Sequence, residues 1–381
     1  MKILFICSSL EQGKDGVGDY TRRLAVEMIR NGHQVAALTL NDKHITKEDD
    51  TSQGADGITL RVLRIPSIYT VEQRYSKLSV FFNDFNPDLV SLQYSGFGFH
   101  KYGLPFDMLT RFRSVIGKTK LHIMFHELWC GMAASAGIKE RILGKLQELF
   151  LKLLLTKLKP DSVFTSIQYY ADCLKQLGIY SSVVPIFGTI SLDEFGSEAE
   201  LSELADRIGL SDALNSPSNW LILGFFGTVY PCMGLDALIQ NAATAATQIN
   251  KKLGILLIGH NRGQDINALV QNMDNVTVWK TGLLNEAMIN QMMRTADIGV
   301  VTSAVDGLNK STTAIAWMER GIPVIVSGED QAYSKEQMQL LGVYQIKTET
   351  DVKDAFNNKG SLMPAGRIAY VADEYGKLDK V

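Results

Sequence analysis

Short apolar runs alternate with longer helical stretches along most of this chain, and the alternation occurs in two series. The first series begins at residues 3–7 and stops at the Pro-Ile-Phe-Gly sequence of 185–188. A polar, acidic segment follows at 191–219, and the second series starts at the apolar run 220–227. Strands that alternate with helices build parallel sheets covered by helices on both faces. The pattern therefore predicts an α/β fold of two Rossmann-like, doubly wound parallel-sheet domains.

The length of 381 residues is large for one core and sufficient for two domains. We expect an N-terminal domain over 1–188 and a C-terminal domain over 189–360. The segment 361–381 contains a candidate helix that we expect to pack back on the first domain. Open α/β sheets bind ligands at the carboxyl ends of their strands, so we expect two such edges to face a common cleft.

The composition excludes several classes of protein. A net charge of −3 gives no reason to expect nucleic acid as a partner. The four cysteines are scattered without a CxxC pair, so no metal site and no disulfide framework is expected, and a reducing cytoplasm fits. The chain lacks a run of about 18 apolar residues, so we expect nothing to span a membrane. We expect a cytoplasmic location. If a surface helix docks on the membrane, the protein would be peripheral at the inner membrane face.

An anion site is predicted near the end of the second series. The segment 298–326 has the pattern strand, loop, helix, strand, which places Lys310, Ser311, Thr312 and Thr313 at a helix N-terminus. Free N–H groups and the positive end of the helix dipole favour an anion there. The lysine adds a charge and the hydroxyls add donors, which suits a diphosphate. Ser and Thr are also ordinary N-cap residues, so a simple cap is the alternative.

The N-terminus has a related pattern, in which an apolar strand at 3–7 is followed by a loop with three glycines and a helix over 20–30. Gly16 and Gly18 would let a ligand approach the backbone at the start of this helix. Asp19 either binds a ligand hydroxyl or caps the helix. The glycine spacing is not GxGxxG, and the next strand ends without a ribose carboxylate, although Asp42 follows closely. A dehydrogenase is therefore disfavoured.

The ordered set of motifs resembles the GT-B glycosyltransferases, in particular the large retaining family 4-like group (glycosyl transferases group 1). Its opening "GGxGxxxxxLAxxLxxxGHxV" is matched by residues 15–35, and its segments "xGRxxxxKGxxxLIxA", "LxIxG", "xADVxVxPSxxEG" and "GxPVIAT" are similar to 225–240, 256–260, 295–307 and 321–327. The resemblance extends from residue 1 to about 330.

The chain departs from this family at the donor site. The usual Glu-x7-Glu pair is replaced by Leu308 and Ala316, and the Arg and Lys of the "GRxxxxKG" loop are replaced by Thr228 and Met233. The sequence is similar to a sub-branch in which a basic residue and Ser/Thr before the last helix replace the glutamates. Lys310 and its neighbours would then supply the positive charge that a diphosphate leaving group needs.

The resemblance implies transfer of a sugar from a UDP- or GDP-linked donor to a glycan, lipid-linked or small-molecule acceptor. It also implies that the domain over 1–188 lies on the acceptor side and the domain over 189–360 on the donor side. It implies retention of configuration, with no metal and no cofactor beyond the nucleotide-sugar co-substrate. The implied catalytic residues are His126 and Lys310. The implied donor-binding residues are Gly227, Thr228, Asp306, Asn309, Lys310, Ser311 and Thr312, and the implied acceptor or cleft residues are Gly16, Gly18, Asp19 and Tyr94.

Alternatives remain open at several of these positions. His126 lies in FHELW, which resembles the family's histidine segment near the donor sugar, but a histidine here could instead cap the next helix. Tyr94 belongs to an aromatic, glycine-rich loop that either lines the acceptor side or fills the core. For the whole protein, the alternatives are a non-catalytic GT-B-like binding subunit and another GT-B enzyme such as a sugar epimerase.

The segment 138–159 predicts a long amphipathic helix with six basic residues. A helix of this kind can lie on an anionic membrane surface, as it does in many bacterial members of the family that the sequence resembles. Its very apolar middle, at 149–155, would equally suit burial against the sheet with solvated lysines. Peripheral membrane contact through 138–159 and burial are therefore both consistent with the sequence.

Overall fold

The computed structural model describes residues 1–55, 57–132, 136–230, 234–260, 263–302, 310–326, 342–345, 347–359 and 366–380. The chain forms two compact units: unit 1 is Met1–Thr189 with Ile368–Val381, and unit 2 is Ile190–Arg367. The first boundary thus follows Thr189 instead of residue 188, and the C-terminal segment of unit 1 begins at Ile368 instead of 361.

Unit 1 contains a sheet with the strand order β3-β4-β2-β1-β5-β6-β7-β8. The strands are β1 (Lys2–Cys7), β2 (Gln34–Asp42), β3 (Asp49–Ala55), β4 (Ile58–Pro66), β5 (Leu89–Tyr94), β6 (Lys120–Phe125), β7 (Ser162–Thr165) and β8 (Ser182–Val183). Only β3 is antiparallel to its neighbour among these described pairs. The sequence pattern missed β3 because this edge strand, DDTSQGA, carries no apolar alternation.

The helices of unit 1 are α1 (Gly16–Arg30), α2 (Val71–Phe85), α3 (Gly96–Phe99), α4 (Arg113–Ile116), α5 (Ile138–Leu158) and α6 (Gln168–Gln176). A π-helical turn, Met108–Phe112, precedes α4. The sequence pattern at 104–116 predicts one helix, but the structure begins its helical turns only after Pro105. A residue before proline is disfavoured in the α conformation, which accounts for the late start.

Unit 2 contains a sheet with the strand order β11-β10-β9-β12-β13-β14, and every described neighbour pair is parallel. The strands are β9 (Trp220–Phe226), β10 (Lys252–Ile258), β11 (Val276–Lys280), β12 (Ile298–Val301), β13 (Val324–Val326) and β14 (Val343–Gln345). The order 3-2-1-4-5-6 is that of a doubly wound sheet. The two doubly wound parallel-sheet domains predicted from the sequence are confirmed.

The described residues of unit 2 form the helices α7 (Glu198–Ile208), α8 (Ser211–Asn215), α9 (Leu235–Gln248), α10 (Ile266–Val270), α11 (Glu286–Thr295), α12 (Thr312–Glu319) and α13 (Glu349–Asn358). A short 3-10 turn, Pro217–Asn219, precedes β9. The chain then returns to unit 1 with α14 (Ile368–Gly376), which is followed by a second 3-10 turn, Lys377–Lys380. No described helix has the length and apolar character needed to cross a bilayer.

Both faces of the unit 2 sheet are covered, which explains its continuous apolar strands. Along β9, Trp220 and Ile222 belong to the core on one face, while Leu221 and Leu223 belong to the core on the other. Successive side chains of a strand point to opposite faces, so a strand buried on both sides is apolar at every position. The run at 220–226 therefore lacks the polar alternation of a half-exposed strand.

Trp317 fixes the position of α12 on this sheet. Gly224 of β9 and Gly299 of β12 are partners in register. A Cβ atom at Gly299 would lie 2.4 Å from the Trp317 ring, and one at Gly224 would lie 2.5 Å from it. The buried indole thus packs directly on the backbone of two adjacent strands. We call Gly224 and Gly299 the glycine pair. Close packing of α12 places its first residues near the carboxyl ends of β9 and β12.

Replacement of Gly299 by alanine should destabilise unit 2 by about 1–3 kcal/mol, because the added methyl overlaps a buried ring that cannot move without repacking the core. Urea denaturation of the full chain followed by Trp fluorescence measures the change. Gly16→Ala is the matched control, since Gly16 has no atom within 4 Å of a built Cβ. Equal stability of the two variants would contradict the packing role of the glycine pair.

Candidate functional site

The order of strands in unit 2 reverses between β9 and β12, because chain connections lead outward from this point in both directions. Ligands of open α/β sheets bind outside the carboxyl ends of the strands at such a switch point. Here β9 ends at Phe226 and β12 at Val301. A cavity of about 70 Å³, which we call the switch-point cavity, lies at these ends.

Polar groups from three segments line the switch-point cavity. The loop after β9 contributes Thr228 and Tyr230, the end of β12 contributes Thr302, and the start of α12 contributes Ser311 and Thr313. Apolar residues of β9 and β12, such as Phe225 and Val300, form the remaining wall. The cavity therefore combines an apolar base with several hydroxyl groups, which is the usual composition of a small-molecule site.

The first turn of α12 provides the hydrogen-bond donors of this site. Ser311 is the N-cap, and its hydroxyl accepts a bond from the Ala314 amide at 3.3 Å. The amides of Thr312 and Thr313 belong to the first turn, which has no intrahelical acceptors. Lys310 directly precedes the cap and is exposed. Positive helix dipole, first-turn amides, hydroxyls and an ammonium group thus occur within four consecutive residues.

The loop after β9 is held in place by backbone hydrogen bonds. Gly227 has a φ of +77°, a conformation that favours glycine, and its amide donates to the Ile258 carbonyl at 3.1 Å. The Tyr230 amide donates to the Thr302 hydroxyl at 3.0 Å, which ties the loop to the end of β12. The Tyr230 side chain is 61% exposed beside the cavity. The loop therefore presents Thr228 and Tyr230 at the opening.

The predicted donor residues can now be compared with this geometry. Thr228 and Ser311 line the switch-point cavity, while Gly227, Lys310 and Thr312 are their direct neighbours in the chain. Asp306 and Asn309 lie outside the described residues. Sequence reasoning missed Tyr230 and Thr302, which lie in the segments that follow β9 and β12. Their position after two neighbouring strand ends is the signal that could have indicated them.

The corresponding helix end in unit 1 is already occupied by a carboxylate. Asp15 is the N-cap of α1, and its side chain accepts bonds from the amides of Val17 and Gly18 at 2.9 and 3.0 Å. Gly16 is exposed, whereas a Cβ at Gly18 would lie 2.3 Å from the Ser9 carbonyl oxygen. Gly18 therefore serves close packing of the helix on the preceding loop. Gly16 alone of the two leaves open space for an approaching group.

Asp19 holds the loop before α1. Its carboxylate accepts from the Gly13 amide at 3.1 Å and pairs with Arg22 at 3.1 Å. Burial raises the pKa of Asp19, although Arg22 and the Gly13 amide oppose the shift. The interpretation of Asp19 as the helix cap is wrong, because Asp15 occupies that position. The structure shows Asp19 as an organiser of the glycine-containing loop.

Asp42 anchors the same loop from below. This fully buried carboxylate accepts from the Arg64 Nε at 2.8 Å, the Ser9 hydroxyl at 3.1 Å and the Leu10 amide at 3.3 Å. Arg64 also donates to Glu11 at 2.6 Å. Burial alone would raise the pKa of Asp42, but the bonds from Arg64 and backbone amides lower it. Asp42 is thus committed to structure and inaccessible to a ribose.

His126 follows β6 and is half-buried. Its Nε2 lies 2.9 Å from the Gln93 Oε1, and its ring packs edge-on against Tyr20 at 4.8 Å. Since the amide oxygen of Gln93 is an acceptor, Nε2 carries the proton and Nδ1 carries the lone pair. Burial lowers the pKa of His126 to about 3, so the imidazole is neutral at physiological pH. The ring is therefore a hydrogen-bonding group of fixed orientation.

Tyr94 does not line a cleft. The side chain is 1% exposed, and its ring packs against Phe99 at 6.1 Å and Phe125 at 5.3 Å. The assignment of Tyr94 to the acceptor site is wrong, and the alternative of a core residue is correct. Its position as the last residue of a central, fully buried strand gives the physical reason.

No protein-family model and no curated protein matches the chain. Solved structures do: UDP-GlcNAc 2-epimerase from Neisseria meningitidis, bound to UDP-GlcNAc, has a TM-score of 0.53 at 12% identity over 100% of both chains. The α,α-trehalose 6-phosphate synthase from Burkholderia multivorans gives 0.52 at 10% identity, over 100% of this chain and 95% of that one. WaaG, a glycosyltransferase involved in lipopolysaccharide biosynthesis, gives 0.50 at 13%, over 99% and 95%. The chain therefore has a GT-B glycosyltransferase-like fold.

The Asp42–Arg64 pair predicts an acid-sensitive contribution to stability. Because the folded-state pKa of Asp42 is depressed, its contribution is present above the unfolded pKa of about 3.9 and is lost as pH falls through the folded value. Asp42→Asn should cost about 3 kcal/mol near neutral pH, since it removes the buried carboxylate of this ion pair and leaves Arg64 with Glu11 as its remaining carboxylate partner.

Chemical denaturation of both proteins from pH 7 down to pH 3 measures this difference. The gap between wild type and Asp42→Asn should narrow as the pH falls below about 4. Asp88→Asn gives a control at an exposed carboxylate that accepts one backbone bond from Lys2. A gap between wild type and Asp42→Asn that is constant with pH would contradict the ionised state of Asp42.

Proposed function

We propose that this protein is a glycosyltransferase that uses a nucleoside-diphosphate sugar, with UDP or GDP as the nucleotide. The observation that carries the proposal is the switch-point cavity, where hydroxyl groups and the N-terminus of α12 meet at the carboxyl ends of β9 and β12. Such a site favours an anion with a sugar or nucleoside beside it. The GT-B glycosyltransferase-like fold supports this choice among anionic ligands.

The chemistry is transfer of the sugar to an acceptor hydroxyl. The bond between the anomeric carbon and the diphosphate oxygen breaks, and negative charge develops on the leaving diphosphate. Lys310 and the first-turn amides of α12 stabilise that charge more in the transition state than in the ground state. The departing phosphate oxygen takes the proton of the acceptor hydroxyl on the same face, which gives retention. Neither a protein nucleophile nor a metal is part of the proposal.

His126 contributes a hydrogen bond rather than a charge in this scheme. With a pKa of about 3, the ring stays neutral under the conditions of the reaction. The Nε2 proton is directed to Gln93, so the Nδ1 lone pair is the group that can accept a bond from a sugar hydroxyl. This contact would orient the sugar for attack at its anomeric carbon.

A sugar epimerase is the second candidate, because the solved UDP-GlcNAc 2-epimerase has the same fold. An epimerase changes the nucleotide sugar without an acceptor, whereas a transferase releases nucleoside diphosphate only when an acceptor is present. Proton NMR of the nucleotide sugar with enzyme alone separates the two reactions. A non-catalytic binding subunit would give neither product.

Ligand binding tests the diphosphate site directly. UDP or GDP should raise the melting temperature of the full chain, since a ligand of the native state stabilises it by mass action. Lys310→Ala should weaken this binding by about tenfold or more, because a charge-assisted hydrogen bond contributes ~1.5–3 kcal/mol. Stability without ligand should stay close to that of the wild type. Titration calorimetry gives the affinities.

Lys353→Ala is the matched control for Lys310→Ala, since Lys353 is another lysine of unit 2 and makes an exposed bond to Gln248. It should bind the nucleotide as tightly as the wild type. The proposal fails if no nucleoside diphosphate or nucleotide sugar shifts the melting temperature. It also fails if both lysine variants lose affinity equally.

Helix α5 supports a second element of the proposal, contact with an anionic membrane surface. One face of α5 is buried in the core of unit 1, including Phe150 and Leu154. A separate set of apolar side chains, which we call the apolar stripe, is 45–78% exposed: Ile138, Ile142, Leu146, Leu149 and Leu153. Their spacing of three or four residues places them along one side of the helix. Burial against the sheet therefore accounts for only one of its two apolar faces.

Charge and neighbouring aromatics support a membrane as the occupant of this surface. The five basic residues of α5 (Lys139, Arg141, Lys145, Lys152 and Lys157) are all exposed and exceed its two glutamates. Phe106 is 59% exposed and its ring contacts Phe150, while Tyr102 is 53% exposed and its carbonyl accepts from Gln147. Apolar and aromatic side chains bordered by cations suit the interface of an anionic bilayer.

A double substitution, Leu146→Glu with Leu149→Glu, should reduce vesicle binding by at least tenfold, because each buried leucine contributes about 1.5–3 kcal/mol. Co-sedimentation with phosphatidylcholine vesicles, with and without phosphatidylglycerol, measures the loss and its dependence on negative lipid charge. Ile68→Glu with Val80→Glu is the control, since these side chains are 69% and 67% exposed elsewhere in unit 1. If the wild type is a dimer that does not bind vesicles, and the leucine variant is a monomer, the apolar stripe would instead be the contact with a second copy of the chain.

A further inference from the structure

A chain of buried hydrogen bonds connects His126 to the last helix of the protein. Gln93 accepts from His126 through its Oε1 at 2.9 Å. Through its Nε2, the same carboxamide donates to the Ser91 hydroxyl at 2.8 Å and to the Tyr375 hydroxyl at 3.3 Å. Gln93 and Tyr375 are both fully buried, and 282 residues separate them in sequence. The partner of the proposed catalytic histidine is thus held by residues from two ends of the chain.

The position of Tyr375 is fixed by aromatic packing inside unit 1. Its ring lies 4.9 Å from the His122 ring, 5.4 Å from Phe164 and 5.9 Å from Phe5. These contacts place the hydroxyl in the core, where a polar atom needs a partner to offset its desolvation. Gln93 supplies that partner. The ring and the hydroxyl of Tyr375 therefore have separate roles, one in packing and one in polar contact.

The orientation of the Gln93 amide determines which imidazole nitrogen of His126 carries the proton. A carboxamide has one acceptor oxygen and one donor nitrogen, and here the nitrogen is engaged by Ser91 and Tyr375. The oxygen consequently faces His126, which places the proton on Nε2 and leaves Nδ1 as an acceptor. Ser91 is shared with His122 Nδ1 at 2.9 Å, so Tyr375 is the amide partner that does not also contact a histidine nitrogen.

We propose that Tyr375 is a positioning residue for His126: its hydroxyl holds the Gln93 carboxamide so that the imidazole presents Nδ1 to the sugar. The proposal rests on the proposed function of His126 for its catalytic consequence. It gives α14 a role in the reaction beyond closing the fold of unit 1. Tyr375 itself does not touch the reacting atoms.

Tyr375→Phe in the full chain tests this role, because it removes the hydroxyl and keeps the ring. We expect kcat to fall by about tenfold through misplacement of His126, with KM for the nucleotide sugar unchanged. Gln93→Ala should have an effect of similar size, and the double variant should be no slower than Gln93→Ala alone. Tyr75→Phe is the matched control, since it removes another buried tyrosine hydroxyl of unit 1, on α2.

An independent measurement separates positioning from a general structural effect. Nitrogen-15 NMR of histidine-labelled protein reports which imidazole nitrogen of His126 carries the proton. The wild type and Tyr75→Phe should show the Nε2–H form, and Tyr375→Phe should show a mixture of the two tautomers. An unchanged His126 signal in Tyr375→Phe would overturn the proposal, as would equal losses of kcat in Tyr375→Phe and Tyr75→Phe.

The NMR experiment remains decisive even if the proposed function fails. If His126→Ala keeps full turnover, the histidine has no catalytic role, and the function assigned to it is wrong. The tautomer measurement then still shows whether the Tyr375 hydroxyl controls the His126 ring. Absence of nucleotide binding by the wild type would contradict the proposed function. An unchanged His126 tautomer in Tyr375→Phe would contradict the positioning role, so the two failures are distinguishable.

Discussion

The packing of Trp317 on the glycine pair is the contact on which the candidate site depends. A fully buried indole lies on Gly224 and Gly299, where any Cβ atom would come within 2.5 Å of its ring. Protein cores are packed densely, so such a contact sets the distance and direction of a helix relative to its sheet. The first turn of α12 thereby reaches the ends of β9 and β12, and the switch-point cavity forms between them.

The two units use similar helix ends in opposite ways. In unit 1 the Asp15 carboxylate accepts from the first-turn amides of α1, so the helix dipole is compensated by the protein itself. In unit 2 the cap is a neutral serine hydroxyl, and the adjoining cavity is lined by further hydroxyls. An anionic ligand would be repelled by the Asp15 carboxylate at the start of α1 and attracted to the start of α12. Local charge, not the fold, is therefore the reason that the proposed function places the diphosphate in unit 2.

Several features were predictable because they are written in local patterns. Alternating apolar runs indicated both sheets, and the order lysine, serine, threonine before an apolar helix indicated the start of α12, within one residue. Other features gave no local signal. The edge strand β3 lacks apolar alternation, and Tyr94 has the same aromatic, glycine-rich surroundings whether it lies in a cleft or in the core. Burial depends on neighbours that are distant in sequence.

By itself, the sequence determined the two doubly wound domains and the polar cluster at the start of α12, because periodicity and helix capping act over a few residues. Only the tertiary structure decided which polar groups are accessible. It buried Asp42 beneath a loop, moved the α1 cap from Asp19 to Asp15, and joined Gln93 to Tyr375 across 282 residues. These outcomes depend on long-range packing and desolvation, which short sequence patterns do not encode.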